Sequence, residues 1–379
     1  MLNEKEIARY NRHLILPGFG MEAQEKLKKA KVLVVGAGGL GCPILQYLTA
    51  AGVGEIGIID FDVVDESNLQ RQILFSVHDI GKSKAEIAAT KLSEQNPFVN
   101  FRIFKIRLTN KNALKLLNEF DVIVDGTDNF STRYLVNDAC VILDKPLVYG
   151  SIYKFEGQVS VFNFIDKNGT NGPNLRCLFP DPPSAGSIPN CSEIGVIGVL
   201  PGIIGTLQAL ETIKIITGIG EPLSGKLMLF DALQMKMQVM EFEKKTECCK
   251  IIPEAYQKFL EMDYDLMCGI TPDSTEIKFI SPMELRKLLE DKKNIQLLDV
   301  REHGEFPIIE ELIGIHIPVG EIENKINLLS LEKMTVVYCR SGMRSRKAIE
   351  LLETKYKFKN LYNLEGGIME WINQYQKKN

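Results

Sequence analysis

Residues 31–41, KVLVVGAGGLG, constrain the fold more than any other stretch. KVLVV is a short aliphatic run suited to a buried strand. GLGCPILQYLTAAG behind it has helical apolar spacing and a glycine stop. Between them Gly36, Gly38 and Gly41 form a GxGxxG, with Gly39 beside them. A strand, a glycine turn and a helix N-terminus together present backbone N–H groups and positive potential to a phosphate. Asp60 stands 24 residues beyond Gly36, at the end of the next aliphatic run EIGIID, where a carboxylate can bond ribose hydroxyls. This much predicts a nucleotide site and, taken alone, a dinucleotide dehydrogenase.

The next residues favour a triphosphate. IIDFDVVDESNLQRQ brings Asp60, Asp62, Asn68 and Arg71 along one strand exit, and Lys84 follows at the start of a helix. Two cations and an amide exceed what a bridging pyrophosphate requires and suit a leaving group that must be neutralised. DGTDN at 125–129 supplies Asp128 and Asn129 at another strand end, with Asp128 as a magnesium ligand.

Strands such as DVIVD and PLVYGSIY alternate with helical segments, which predicts an α/β fold: a Rossmann-like domain with a mostly parallel sheet. GQVSVFNF alternates strictly and predicts an antiparallel addition, so the sheet should be mixed. From about residue 245 the pattern weakens, and a fresh short α/β pattern begins near 276. The expected organisation is a domain over 1–250, a linker over 251–275 that should be mobile, and a small α/β domain over 276–379. With 379 residues, a net charge of −4 and 25% charged residues, the chain has no signature of a nucleic-acid or membrane-surface protein. The charged start predicts no export signal, hence a cytoplasmic protein. The uncharged run 194–210 is broken by Pro201 and four glycines and reads as a loop entering a buried helix.

VVYCRSGMRSR, residues 336–346, is the second chemical feature. Cys339 ends an apolar strand and opens a loop, Arg340, Ser341, Gly342, Met343 and Arg344, that rolls into a helix. Loop N–H groups and nearby arginines favour a thiolate, so Cys339 is the expected reactive thiol. Phosphatases space the cysteine and arginine by five residues. Here four residues lead to Arg344 and five to Ser345, and the tighter loop suits a persulfide sulfur.

The set RYNRHLILPGFG, GAGGLG, DFDVVDESNLQRQ, DGTDN and GVLPGIIGTLQALETIK resembles the ThiF/MoeB/HesA family, ubiquitin-activating-type enzymes that adenylate small sulfur-carrier proteins. The resemblance covers roughly residues 4–250. It implies that Gly38, Gly39 and Asp60 hold the adenosine side of ATP, that Arg71 and Lys84 hold phosphates, and that Asp128 binds Mg2+. It further implies that Arg12 reaches the triphosphate of the other subunit of a homodimer. LLDVREHGEF, GIHIPVGEI and NLEGGIMEW, with the Cys339 loop, resemble rhodanese over 276–379; Asp299 and Arg301 should brace that fold, and His316 should be structural.

Eight cysteines are too few for a disulfide scaffold. Cys42 and Cys140 read as core filler. In family members with sulfurtransferase activity, a cysteine at the position of Cys191 bonds covalently to the activated carrier. The family's zinc uses two CxxC pairs; NLRC keeps only Cys177, and Cys248 adjoins Cys249, so zinc is expected to be absent. The resulting expectation is adenylation of the C-terminal glycine of a ubiquitin-like carrier ending in GlyGly, then sulfur transfer from a Cys339 persulfide charged by a cysteine desulfurase. The carrier, and so the pathway (molybdopterin, thiazole, cysteine or tRNA sulfur), is left open. The alternatives are a non-catalytic carrier-binding scaffold and a NAD-dependent oxidoreductase with a phosphatase-like tail.

Overall fold

The computed structural model describes residues 1–182, 195–245, 256–268 and 277–375. Four successive aliphatic side chains make β1 (Lys31–Val35) a strand buried on both faces, with Val32 to Val35 at most 2% exposed. Such a strand needs helices on either side of its sheet. The chain supplies them in order: α1 (Glu4–Leu14), α2 (Gly20–Lys29), β1, α3 (Gly41–Ala51), β2 (Glu55–Ile59), α4 (Lys84–Gln95), β3 (Asn100–Phe104), α5 (Ala113–Leu117), β4 (Val122–Asp125) and α6 (Phe130–Ile142). Then follow β5 (Leu147–Tyr153), β6 (Glu156–Phe162), α7 (Leu175–Leu178), α8 (Leu200–Thr217), β7 (Lys226–Asp231) and β8 (Lys236–Glu241).

The eight strands run β3-β2-β1-β4-β5-β6-β7-β8. The first five are mutually parallel and the last three pairings antiparallel, as the alternation in GQVSVFNF predicted. The strand order reverses at β1, whose neighbours are β2 and β4. Val35 pairs with both Ile59 and Asp125, so the three carboxyl ends, and the loops leaving them, lie side by side. A doubly wound sheet opens its ligand crevice at such a point. The run 194–210 enters α8, whose Pro201 sits in the first turn, and the helix packs on α3, β5 and β6. Among the described residues no helix is long and apolar enough to cross a membrane.

The expected linker 251–275 is described only in part. Its described part forms two short helices, α9 (Tyr256–Glu261) and α10 (Tyr264–Met267), that pack on the first unit. Phe259 is fully buried and Tyr264 6% exposed, in one cluster with Leu117, Tyr134 and Leu135. Two helices this short carry too few apolar positions for periodicity to register. Their anchors are single aromatic residues.

Residues 271–379 form a separate unit with five parallel strands in the order β11-β10-β12-β13-β9. The strands are β9 (Lys278–Ile280), β10 (Ile295–Asp299), β11 (Ile315–His316), β12 (Met334–Tyr338) and β13 (Leu361–Leu364). Helix α11 (Pro282–Glu290) is capped by Ser281 in a capping box with Glu284. Helices α12 (Met343–Tyr356) and α13 (Gly367–Tyr375) follow β12 and β13.

Candidate functional site: a nucleotide crevice and a cradled thiol

The loops leaving β1, β2 and β4 enclose the crevice. Gly36 has φ +93°, and a Cβ there would meet the Gly126 carbonyl oxygen at 3.0 Å. A Cβ on Gly41 would fall 2.0 Å from the Gly36 oxygen. The turn and the first residue of α3 are thus packed backbone against backbone, which only glycine permits. Gly36, Gly38 and Gly39 line the crevice, whereas Gly41 lies beneath it.

Asp60 sits in the middle of the wall. Its Oδ2 accepts the Ala37 N–H at 2.8 Å and its Oδ1 the Asp62 N–H at 2.8 Å, which fixes the carboxylate against the glycine loop. Burial pushes its pKa above the ordinary value despite those bonds. To one side Lys84, only 6% exposed, donates to Asp62 Oδ2 at 3.1 Å, and Arg71 Nη1 donates to the Ser67 carbonyl at 3.0 Å. Across the crevice Asp128 is exposed on the β4 loop, where Asn129 Oδ1 accepts the Thr132 N–H and caps α6. Ile106, Arg107 and Leu108 also line the crevice. A carboxylate beside a glycine loop, two cations and apolar side chains in one crevice suit a nucleoside triphosphate.

Some expected residues are absent from this wall. Asn68 does not line the crevice; its Oδ1 accepts the Asp65 N–H and its side chain closes its own turn. Arg12 is exposed on α1, outside the crevice of its own chain. Cys191, Cys248 and Cys249 lie outside the described residues. Other residues went unnoticed in the sequence. Gln72 lines the pocket beside Gly38, is 4% exposed, and its Oε1 has no hydrogen-bond partner among the described residues. Arg133 braces the loop that carries Asp128, donating to the Thr127 carbonyl at 2.9 Å and to Ser151 at 2.7 Å. An amide next to a chosen arginine was a usable signal for Gln72. Nothing in sequence pairs Arg133 with Thr127.

In the second unit Cys339 leaves β12 and its side chain turns inward, 1% exposed. Gly342, at φ +91°, directs its N–H to Sγ at 3.2 Å, and Ser345 Oγ lies 3.5 Å from Sγ. Ser345 also donates to Asn363 Oδ1 at 2.6 Å, while Asn363 Nδ2 holds the Gly342 carbonyl at 2.9 Å. The start of α13 supports the loop from below: Ile368 and Met369 donate their N–H groups to the Cys339 and Arg340 carbonyls. Gly367 is required there, since a Cβ would meet the Cys339 oxygen at 2.4 Å. Arg344 has a charge interaction with Cys339 and is also engaged two-pronged by Glu305, while Arg346 Nε lies 3.7 Å from Glu350. At Sγ the described donor is the Gly342 N–H, with the Ser345 oxygen beside it. Asp299 and Arg301 form a buried pair that also holds the Pro307 carbonyl, and His316 Nε2 meets the Arg301 carbonyl at 2.8 Å. These are bracing contacts.

The model of the ThiF family matches residues 10–251. The chain belongs to the ThiF family. A rhodanese-like domain model matches residues 281–374. The chain is 44% identical, over 381 aligned residues, to the probable adenylyltransferase/sulfurtransferase MoeZ of Mycobacterium tuberculosis, covering 99% of this chain and 95% of that protein. It is 39% identical over 388 aligned residues to the adenylyltransferase and sulfurtransferase MOCS3 of Drosophila grimshawi, covering 98% of this chain and 85% of that one. A sulfur carrier protein adenylyltransferase of Thermus thermophilus matches 70% of this chain and 98% of its own length at 49% identity. Among solved structures, Escherichia coli MccB with MccA-N7isoASN superposes with a TM-score of 0.56 over 64% of this chain and 74% of that chain, at 23% identity, and shows a common fold. This ThiF-family chain is an adenylyltransferase joined to a sulfurtransferase domain, and ATP is the nucleotide its class of reaction uses. Neither the oxidoreductase nor the scaffold alternative is favoured.

The remaining cysteines separate by environment. Burial pushes the Cys42 thiol up to about 12 and the Cys140 thiol well above its ordinary value, which suits core packing. Cys177 is 1% exposed in the turn where Asn174 Oδ1 caps α7 and where Arg176 is buried against Asp138. A neutral amide and a guanidinium occupy positions beside Cys177, and among the described residues no group of three His, Cys, Asp or Glu side chains could hold a metal ion.

Proposed function

We propose that the crevice adenylates the C-terminal glycine of a ubiquitin-like sulfur carrier ending in GlyGly and that Cys339 supplies the sulfur. The supporting observation is the convergence of Asp60, Arg71, Lys84 and Asp128 around the glycine loop, in a chain that also cradles a thiol at a strand end. Asp60 accepts the ribose hydroxyls. Gly38 and Gly39 let the adenosine side approach the backbone, with the Gln72 amide at hand. Arg71 and Lys84 neutralise the leaving pyrophosphate. Mg2+, when bound through Asp128 and the phosphates, adds charge neutralisation.

The carrier carboxylate attacks the α-phosphorus in line, a new C–O–P linkage forms, and the bond to the β-phosphate oxygen breaks. Positioning and cations suffice, and no protein nucleophile takes part in this step. The terminal sulfur of a Cys339 persulfide then attacks the acyl carbon and displaces AMP. A second thiol, with Cys191 as the candidate within the chain, attacks Cys339 Sγ and releases the thiocarboxylate. The resulting disulfide is reset by a thiol reductant. A cysteine desulfurase charges Cys339. The enzyme works in the cytoplasm as a homodimer, with Arg12 of each chain completing the other's triphosphate site; its exposure on α1 is compatible with that role.

The test is exchange of labelled pyrophosphate into ATP with a panel of GlyGly-ended carriers. Exchange dependent on one carrier supports adenylation and names the pathway. ATP binding without exchange for any carrier overturns it in favour of a scaffold.

A further inference from the structure

A second cavity, of about 350 Å³, adjoins the nucleotide crevice and shares Arg107, Leu108 and Thr132 with it. It is also lined by residues 261–265, from the end of α9 into the start of α10. That segment is tied to the loop between β3 and α5. Asn110 Nδ2 donates to the Leu260 carbonyl at 2.7 Å and to the Met262 carbonyl at 2.8 Å. Arg107 Nη2 reaches both oxygens of Asp265, at 3.2 and 3.4 Å. The buried Phe259 and Tyr264 hold the segment on α5 and α6.

We propose that the segment 256–268 completes the base end of the nucleotide site, with Asn110 and Asp265 as positioning residues acting through the 106–108 wall. The reasoning rests on the reading of the crevice as an ATP site. One loop, 105–112, lines the crevice through Ile106, Arg107 and Leu108 and holds the docked segment through Arg107 and Asn110. Arg107, exposed and paired with Asp265 at 3.2 Å, lines both the crevice and the second cavity. Coupling through one shared loop is reciprocal: the factor by which docking tightens ATP is the factor by which ATP tightens docking. The same segment precedes the thiol-bearing unit in the chain, so nucleotide occupancy sets how much of the connection is held down on the first unit.

The experiment uses the full chain. Amide hydrogen exchange of peptides within 256–268 is measured with and without ATP and Mg2+, and pyrophosphate exchange is measured for Asp265→Asn, Asp265→Glu and Asn110→Ala. The expected result is at least about threefold slower exchange in 256–268 with ATP. KM for ATP should rise about 3- to 10-fold in Asp265→Asn and Asn110→Ala, with kcat and the KM for carrier within about twofold and partial rescue by Asp265→Glu. Arg107 and Asp265 are both exposed, so Asp265→Asn is not expected to unfold the domain. If Asn110→Ala releases the segment, seen as faster amide exchange, while KM for ATP stays at the wild-type value, the inference is overturned. Failure of the unaltered chain to bind ATP instead overturns the adenylyl-transfer reading, and this inference with it.

Discussion

Gly38→Ala and Gly41→Ala differ by one methyl at neighbouring turns of one loop, yet the structure assigns them different failures. At Gly41 the new Cβ would lie 2.0 Å from the Gly36 oxygen and 2.9 Å from its carbonyl carbon, both backbone atoms. Relief requires the loop and the start of α3 to separate by about 1 Å, and overpacking of this kind costs about 1–3 kcal/mol. For a domain of this size that corresponds to a fall in Tm of about 2–4 °C for each kcal/mol. A displacement of about 1 Å at the phosphate loop also costs about 100-fold in rate. At Gly38 the nearest neighbour of a new Cβ is the Gln72 amide nitrogen at 3.7 Å, an ordinary contact. The fold should not register that methyl. Gly38 lines the crevice, and on the proposed reading the adenosine side of ATP packs against it, so KM for ATP should rise about tenfold at unchanged Tm. The assay is carrier-dependent pyrophosphate exchange on both variants, with thermal unfolding in the absence of nucleotide. Wild-type Tm and wild-type KM for ATP in Gly41→Ala would refute the reasoning about the loop; a lowered Tm in Gly38→Ala would refute the assignment of its free side to ligand.

Cys339→Ala should leave pyrophosphate exchange intact and abolish thiocarboxylate formation, read by mass spectrometry of the carrier; loss of exchange would sink the division of labour. Lys84→Met should lower kcat for adenylation by about 100- to 1,000-fold, the scale of removing one preorganised charge from a transition state, with the circular dichroism spectrum unchanged. Glu305→Gln unpairs Arg344 beside Cys339, so alkylation of Cys339 by iodoacetamide at neutral pH should rise about threefold or more; no change would mean that Arg344 does not reach the thiol electrostatically. Asp60 makes a signed pH prediction. Because burial raises its folded pKa, the folded state binds the proton more readily than the unfolded one, whose value is near 3.8. The contribution of Asp60, measured as wild type minus Asp60→Asn in urea unfolding without ATP, should therefore fall as pH rises from 4 toward 7. A rise would contradict the burial account.

The amino-acid sequence by itself determined the two chemistries, because each rests on local features. A strand, a glycine turn and a helix start make a phosphate loop within eleven consecutive residues. The four-residue spacing from Cys339 to Arg344 distinguishes a sulfur loop from a phosphate one within another eleven. Strand type was legible for the same reason: β1 is aliphatic throughout because both faces are covered, and β6 alternates because its pairing is antiparallel.

What depends on long-range packing was not legible. Asn68 reads as a ligand in sequence, and the bond its Oδ1 accepts from the Asp65 N–H at 3.3 Å is visible only in the structure. Arg344 reads in sequence as a charge beside Cys339, but its partner Glu305, 39 residues earlier, is visible only in the structure. Arg133 finds Ser151 only because α6 packs beside β5. The segment 256–268, lacking periodicity, is held by Phe259, Tyr264 and the two bonds from Asn110, partners some 120 to 150 positions away. Propensity and spacing act over a few residues, whereas the partner of a charge or amide is chosen by whatever the fold brings within 3 Å. The sequence could specify the reagents; the tertiary structure decided which of them remain free to act.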